Sequence, residues 1–495
     1  MHCPADAALI YNHDEIHDCI GGSRVLSVFG RKRPWSRLGP LLALVALTGC
    51  GDLYRPIVTS IPPVEPAPQP TKYAVVISCG NTPNTTASRV DLLCAGSTTP
   101  GKSSLVDFSG DSLMASVFVG NGPRWLAMDA RGVTAYITNA DGTVNSFIAE
   151  SSPSSPLESN NVNTSTLLSD AQPNTLLPTT KYLYVSQPGR SSIGVLAGLT
   201  SSAPSLFLEI PISDPAHPGV SQNPVNLVGN STTQRVYAIS QGANASSCPT
   251  SGSTGTATGI ETTTNTISSV LPLGVCPVYG VMTADDRRTF ILNQGSGTVT
   301  VIDSQQNRID PNPALNNGTI AVGQGPIWAD IYNGGSILAV ANSLSNTLSL
   351  INITLDAYGN DGPNFGQIIA TVPVGPNPSS VAILQDGTRA YVANRNDPTS
   401  QTDITGNGSV SVVSLLTNTV VKTIPLPQQP CVGNPTVECN VHPMSIAATT
   451  GTPLGKVYVV SPETNIMTIL RTDNDTIYEN LPLTGNGVQV RVTAP

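Results

Sequence analysis

The chain has 495 residues, with 23 Lys and Arg against 32 Asp and Glu, a formal net charge of −9, and only 11% charged and 5% aromatic residues. That acidic, lightly charged balance argues against a nucleic-acid binder, which needs basic side chains to displace counterions from phosphates. With five histidines in all, and only His217 and His442 beyond the first fifty residues, a multi-histidine copper or iron centre is excluded by counting.

The first 24 residues are acidic and hold three of the histidines, unlike the basic start of an export signal, so the reading frame is expected to open near Val25. From there the order is Arg31-Lys32-Arg33-Pro34-Trp35-Ser36-Arg37, an apolar run from Leu38 to Leu47, and Thr48-Gly49-Cys50. The apolar run is about half the ~20 residues that a spanning helix requires. Leu47-Thr48-Gly49-Cys50 resembles a bacterial lipobox, which implies cleavage before Cys50, lipidation of that cysteine and, with Gly51 rather than Asp behind it, passage to the outer membrane. Residues 1–49 are therefore read as a leader, with 1–24 a misassigned start and 25–49 a lipoprotein signal peptide. Setting them aside leaves 18 basic and 28 acidic residues, a net charge of about −10.

Residues 50–71 follow as a proline-rich segment, with Pro56, Pro62, Pro63, Pro66, Pro68 and Pro70. Proline fixes φ and removes backbone donors, so the segment favours an extended path of about 3.1 Å per residue. It reads either as a stalk or as a plain disordered linker.

From 72 to 495 short apolar runs alternate with Gly, Asn, Ser and Thr, the pattern of strands and turns, and no run suggests a helix. The runs repeat. Seven units are anchored by Pro123, Pro173, Pro224, Pro277, Pro326, Pro378 and Pro443, spaced 50, 51, 53, 49, 52 and 65 residues apart. Each begins with a proline-started strand, where no ladder donor is needed, followed by a polar hairpin such as "DARG", a β-rich strand and a turn opened by Asn. Four antiparallel strands cannot bury both faces of their sheet, so successive sheets must pack around an axis as a β-propeller.

The second strands, "AYITN" at Ala135–Asn139 and "AYVAN" at Ala390–Asn394, resemble the YVTN-repeat β-propeller family, and degenerate copies start at Tyr182, Arg235, Thr289, Ile337 and Lys456. That resemblance implies the fold and leaves the activity open. The tail Thr484–Pro495 matches the start of a unit, with Val488 in the place of proline. "YAVVISCGN" from Tyr73, "SRVDLLCAG" from Ser88 and "SLMASVFVG" from Ser112 read as its second, third and fourth strands. An all-β propeller of eight blades is expected, one blade shared between the two ends; seven blades is the alternative.

Six cysteines remain after Cys50, and proximity within the blades favours disulfides Cys79–Cys94, Cys248–Cys276 and Cys431–Cys439, as an oxidising compartment would produce. The first is expected to join neighbouring strands of the shared blade, the last to close a loop before Pro443. Two loops carry carboxylates among Gly and Asn: Asp356 and Asp361 in one, Asp397 and Asp403 in the other. They read as a weak Ca²⁺ site or as solvated turns. No other cofactor is indicated.

Two positions after each proline stand Trp125, Thr175, Asn226, Tyr279, Trp328, Ser380 and Ser445, with Val490 in the shared unit. Trp125, Tyr279 and Trp328, with Arg124 beside the first, either form a binding floor at the channel or fill space between blades. No catalytic residue set is assembled by the sequence. The expectation is a monomeric, lipid-anchored module of the bacterial cell envelope that binds a protein or glycan. A propeller enzyme is the alternative, lactonase-like or, less favoured, a quinone-dependent dehydrogenase.

Overall fold

Short β-rich runs separated by Asn and Gly turns can only be satisfied by antiparallel pairing with their sequence neighbours, and the structure consists almost wholly of such pairs. It is a computed structural model that describes residues 72–493. Residues 81–82, 86, 88, 95, 153–154, 200–202, 216–221, 231, 244–247, 249–252, 333, 397–405, 432–433 and 450–454 are left out of the description. The expected leader, Cys50, the proline-rich segment, His217, Asp397 and Asp403 lie outside the described residues.

Eight antiparallel sheets stand around a central axis. Blade 1 is the shared one: its inner strand is Gly487–Val492, followed outward by Tyr73–Ser78, Pro100–Asp107 and Ser112–Asn121. The inner strands of blades 2 to 8 are Pro123–Met128, Leu176–Pro178, Pro224–Val228, Pro277–Met282, Pro326–Ile331, Pro378–Ile383 and Ser445–Ala448. In blade 5 the outer position is divided between two short strands, Arg308–Ile309 and Thr319–Ala321, both paired to Thr298–Asp303. A separate hairpin, Gln429–Cys431 with Asn434–Cys439, stands between blades 7 and 8. The described residues contain no α-helix, only three 3₁₀ turns.

The repeated asparagine has a defined duty. Asn139, Asn293 and Asn342 end the second strands of their blades fully buried. Each side-chain amide donates across the turn, Asn293 to Thr298 and Thr300 Oγ1 at 3.1 and 2.8 Å, and Asn342 to Thr347 Oγ1 and Ser349 Oγ at 3.1 and 2.9 Å. In blades 3, 4 and 7 a tyrosine of the second strand ties one blade to the next. Tyr184 donates to Asn265 Oδ1 at 2.6 Å, Tyr237 to Asn307 Oδ1 at 3.2 Å, and Tyr391 to Asp475. Buried hydroxyls need such partners, and in these three blades a polar residue waits in the neighbouring turn, whereas the buried Tyr458 of blade 8 has none for its hydroxyl.

The ring closes at blade 1. The C-terminal strand pairs with the first described strand from Ala74↔Val492 to Ser78↔Gly487, and Val488 and Val490 are fully buried. Tyr73 and Thr493 exchange hydrogen bonds, Tyr73 N to Thr493 Oγ1 at 2.8 Å and Thr493 N to Tyr73 O at 2.9 Å. Lys456 of blade 8 reaches Asp111 of blade 1 at 2.5 Å.

Two expectations about blade 1 need correction. The third strand is Pro100–Asp107, not the stretch from Ser88, which forms a 3₁₀ turn at Val90–Leu92. There the buried aliphatic residues are Val90 and Leu93, three apart, with Leu92 exposed between them, so the aliphatic spacing is that of a turn and not of a strand. Consequently the Cys79–Cys94 disulfide joins the end of the second strand to this intervening segment instead of joining neighbouring strands. The other two pairs, Cys248–Cys276 and Cys431–Cys439, form as expected, the last bracing the extra hairpin.

Candidate functional site at the channel

Most inner strands enter the ring through a β-bulge. In blades 2, 4, 5, 6 and 7 the register slips between the proline and the residue two places on, for example Pro123↔Asn139 and then Trp125↔Thr138. A bulge adds one unpaired residue and re-aims the side chains after it. It brings Trp125 of blade 2, Tyr279 of blade 5 and Trp328 of blade 6 to one point. Tyr279 and Trp328 stack with centroids 4.4 Å apart and planes 13° from parallel. Trp125 leans on both, at 6.3 and 5.8 Å. Trp125 and Trp328 are only 8% and 7% exposed, so the cluster plugs the waist of the channel.

On one side of this plug the channel is capped. The segment after Cys79 places Arg89, Val90 and Asp91 over the starts of the inner strands, leaving a void of about 30 Å³ against the three rings. Arg89 and Asp91 pair at 2.6 Å, and Val90 and Leu93 pack into one apolar cluster with Leu126, Met444 and Val488. Arg395 of blade 7, 1% exposed, donates to Ala87 O at 2.9 Å and Thr85 O at 2.8 Å, which clamps the cap from across the ring. Replacing Cys79 and Cys94 together by Ser is expected to cost about 3 kcal/mol, the chain-entropy value for a loop of this length, their separation being 15 residues. Denaturant unfolding measures the loss, and amide exchange should quicken in residues 83–94 while the blades stay protected.

The other side is open. A cavity of about 780 Å³ descends between the hairpins that join first and second strands, down to Trp125, Tyr279 and Trp328. Its walls carry Met128, Met282, Ile331 and Ile383, with Asn226, Gln385 and Tyr332 among the polar members. Two charged groups stand on the floor. Arg491 of blade 1 lies 5.1 Å from the Trp328 ring centroid and 5.6 Å from that of Trp125, a cation held against two indoles. Asp330 of blade 6 accepts from Ile331 N at 2.9 Å and Ile383 N at 2.8 Å. Burial pushes its carboxyl up to about 6, opposed by those two backbone donors and by Arg491. Burial likewise raises the Tyr279 phenol, again opposed by Arg491.

Of the residues singled out in the sequence, Trp125, Tyr279 and Trp328 are thus brought together, and Arg124 is not. It is the bulged residue beside Trp125 and turns to Gln172 O and Pro173 O at 3.3 and 3.4 Å, with its pKa lowered by burial. Asp356 and Asp361 do not converge. Asp356 is held well below the usual carboxylate range by Asn360, and it also accepts from Tyr358 N at 2.8 Å, a self-contained turn. Asp361 is committed to Arg288, at 2.7 Å, and to the Asn312 amide at 2.6 Å. His442 Nδ1 faces Glu463 at 3.2 Å, away from the channel cavity. Among the described residues no group of three His, Cys, Asp or Glu side chains is arranged to hold a metal ion. Arg491 and Asp330 were not singled out by the sequence reading. The available signal was a charge inside an otherwise apolar inner strand, "GVQVRV" and "PIWADI".

No family model and no curated protein matches this chain. Solved structures do. One is titled as the dihydro-heme d1 dehydrogenase NirN in complex with DHE, with 11% identity over 85% of this chain and 74% of that one, at a TM-score of 0.54. Another is apo AztD from Citrobacter koseri, also with 11% identity, over 85% of this chain and 98% of that one, at a TM-score of 0.52. At such identity the likeness is one of fold, and the chain is a β-propeller similar in architecture to both.

Proposed function

We propose that the chain is an extracytoplasmic, lipid-anchored propeller of the YVTN-repeat type that acts as a binding or scaffolding module for a protein or glycan of the cell envelope. The observation that carries this reading is the open cavity of about 780 Å³ ending on a preformed aromatic floor. Pockets of this size that keep an apolar base and a few placed polar groups are the usual form of a recognition site. The bulges and the closed ring hold that floor rigid, so little ordering entropy would be lost on binding. Three disulfides accord with an oxidising compartment, and the lipobox-like segment around Cys50 with an anchor.

Of the chain's three tryptophans, Trp35, Trp125 and Trp328, the first lies in the expected leader, so the protein processed at Cys50 emits only from the floor. That processed protein, purified in detergent from an oxidising compartment, should show saturable changes of indole emission with one class in a panel of envelope glycans and peptides. An unchanged emission throughout, with ligands bound elsewhere or with turnover of a panel member, would defeat this reading.

A further inference from the structure

Arg491 is a cation without an ion pair at contact distance among the described residues, backed by the rings of Trp125 and Trp328. Its guanidinium bonds the Tyr279 phenol and acts on the Asp330 carboxyl through space. A guanidinium held by its face keeps its remaining N–H edges for other groups. The charges nearest to it are otherwise engaged. Asp330 gives one carboxyl oxygen to Ile331 N and the other to Ile383 N. At the rim, Asp129 and Arg131 pair with each other at 3.3 Å. The remaining titratable groups lining the cavity are the phenols of Tyr279 and Tyr332. A second polar group stands between this cavity and the void under the cap: Asn226, 2% exposed, lines both, and its Oδ1 has no partner. Buried polar atoms are rarely left so, because each unmet one costs about 1–3 kcal/mol.

We propose that Arg491 anchors the carboxylate of an acidic saccharide, a sugar of the uronate type, which enters through the open mouth and meets Asn226 and Gln385 with its hydroxyls. This rests on the binding reading above and names its ligand. A planar carboxylate matches the fork of a guanidinium through two parallel charge-assisted bonds, and the low-polarity surroundings strengthen them. Neutral amides and hydrophobic walls suit the alternating hydroxyl and C–H surfaces of a sugar better than a second charged group would. The cavity has room for a short oligosaccharide.

Asp330 makes the site sensitive to pH. With its carboxyl raised to about 6, it is mostly neutral at pH 5 and ionised at pH 7.5. A sugar carboxylate, with an ordinary carboxyl pKa near 4, stays ionised at both. Binding should therefore take up a proton near pH 6, and affinity should rise as pH falls from 7.5 to 5, by roughly tenfold for one like charge removed from the floor.

The test uses the protein processed at Cys50, whose tryptophans are Trp125 and Trp328, with sodium glucuronate, digalacturonate, glucose and a tripeptide as free acid and as C-terminal amide, read by indole emission and calorimetry. Expected are saturable binding of the uronates, none of glucose, and about ten- to hundredfold weaker binding after Arg491→Met. Asp330→Asn should bind at pH 7.5 as the unmodified floor binds at pH 5 and lose the pH dependence. Arg491→Lys, which retains the charge without the fork, should fall between, and an unchanged melting temperature in either variant separates lost recognition from lost folding. Equal binding of glucose and glucuronate would overturn the role of Arg491 and leave the binding module standing. Tighter binding of the tripeptide acid than of any uronate would overturn the saccharide. Binding of none of them, beside a partner that docks on the outer blades, would overturn the cavity as the site.

Discussion

A chain ending before Gly487 is expected to lose its single cooperative unfolding transition. The missing strand supplies the inner edge of blade 1, and it serves both neighbours: Val488 packs with Leu126 of blade 2, while Val490 packs with Tyr458 and Val460 of blade 8. Gln489 Oε1 also accepts from Leu126 N at 2.7 Å. An open array of repeats loses stability in steps as units are removed, because each touches only its neighbours. A closed ring instead loses two interfaces at once. The milder form of the experiment is Val490→Asp, which places an unpaired charge at a site with 0% exposure and should cost about 3–5 kcal/mol. Leu416→Asp, at 78% exposure, is the control and should be nearly silent. Differential scanning calorimetry of the three proteins is the measurement. A truncated chain that melts at the original temperature would mean that blade 1 does not close the ring.

Trp328→Ala carries the second large effect. The indole is 7% exposed, stacks on Tyr279 at 4.4 Å, touches Trp125 and supports Arg491. Removing a buried Trp costs about 3–5 kcal/mol through lost burial and the cavity left behind. The channel waist limits how far the neighbours can collapse, because the inner strands of opposite blades are held apart by the ring itself. A loss in that range should appear as a lower denaturant midpoint, and the near-ultraviolet circular dichroism of the Trp125–Trp328 pair should vanish. Trp328→Phe should recover much of the stability. A cost below about 1 kcal/mol would show that the rings sit in the channel without bearing on its stability.

The blades were legible because everything that defines them is local. Proline marks the entry of an inner strand, and the Asn that ends the second strands of blades 5 and 6 meets hydroxyls five and seven residues later, as Asn293 meets Thr298 and Thr300. The aromatic positions followed from the same period, and the structure brings Trp125, Tyr279 and Trp328 to one point. What escaped depends on contacts across the ring. The cap is fixed by Arg395 binding carbonyls 308 and 310 residues away, and nothing near Val90 announces that it will be covered from blade 7. The stretch from Ser88 was read as the third strand of the shared unit by its place in the order; the spacing of three between Val90 and Leu93 was the better guide. Arg491 and Asp330 share a floor only because blades 1 and 6 face one channel. Arg124 was grouped with Trp125 as its neighbour in sequence, whereas the bulge sends adjacent side chains to different places.

The seam in blade 1 also decides how tension would travel through the molecule. The chain preceding the ring departs from residue 72, beside the Tyr73–Thr493 hydrogen bonds, and Arg491 lies opposite Val75 on the paired strand. A partner held on Arg491 and pulled against a tethered N-terminal segment would load only the Tyr73 end of this ladder, because in the antiparallel pair the start of Tyr73–Ser78 and the end of Gly487–Val492 lie together. The remaining seven blades would stand outside that force path. A ladder pulled apart at one end takes the strain one rung at a time, so the joint that completes the ring is also the one that would peel first under such a load.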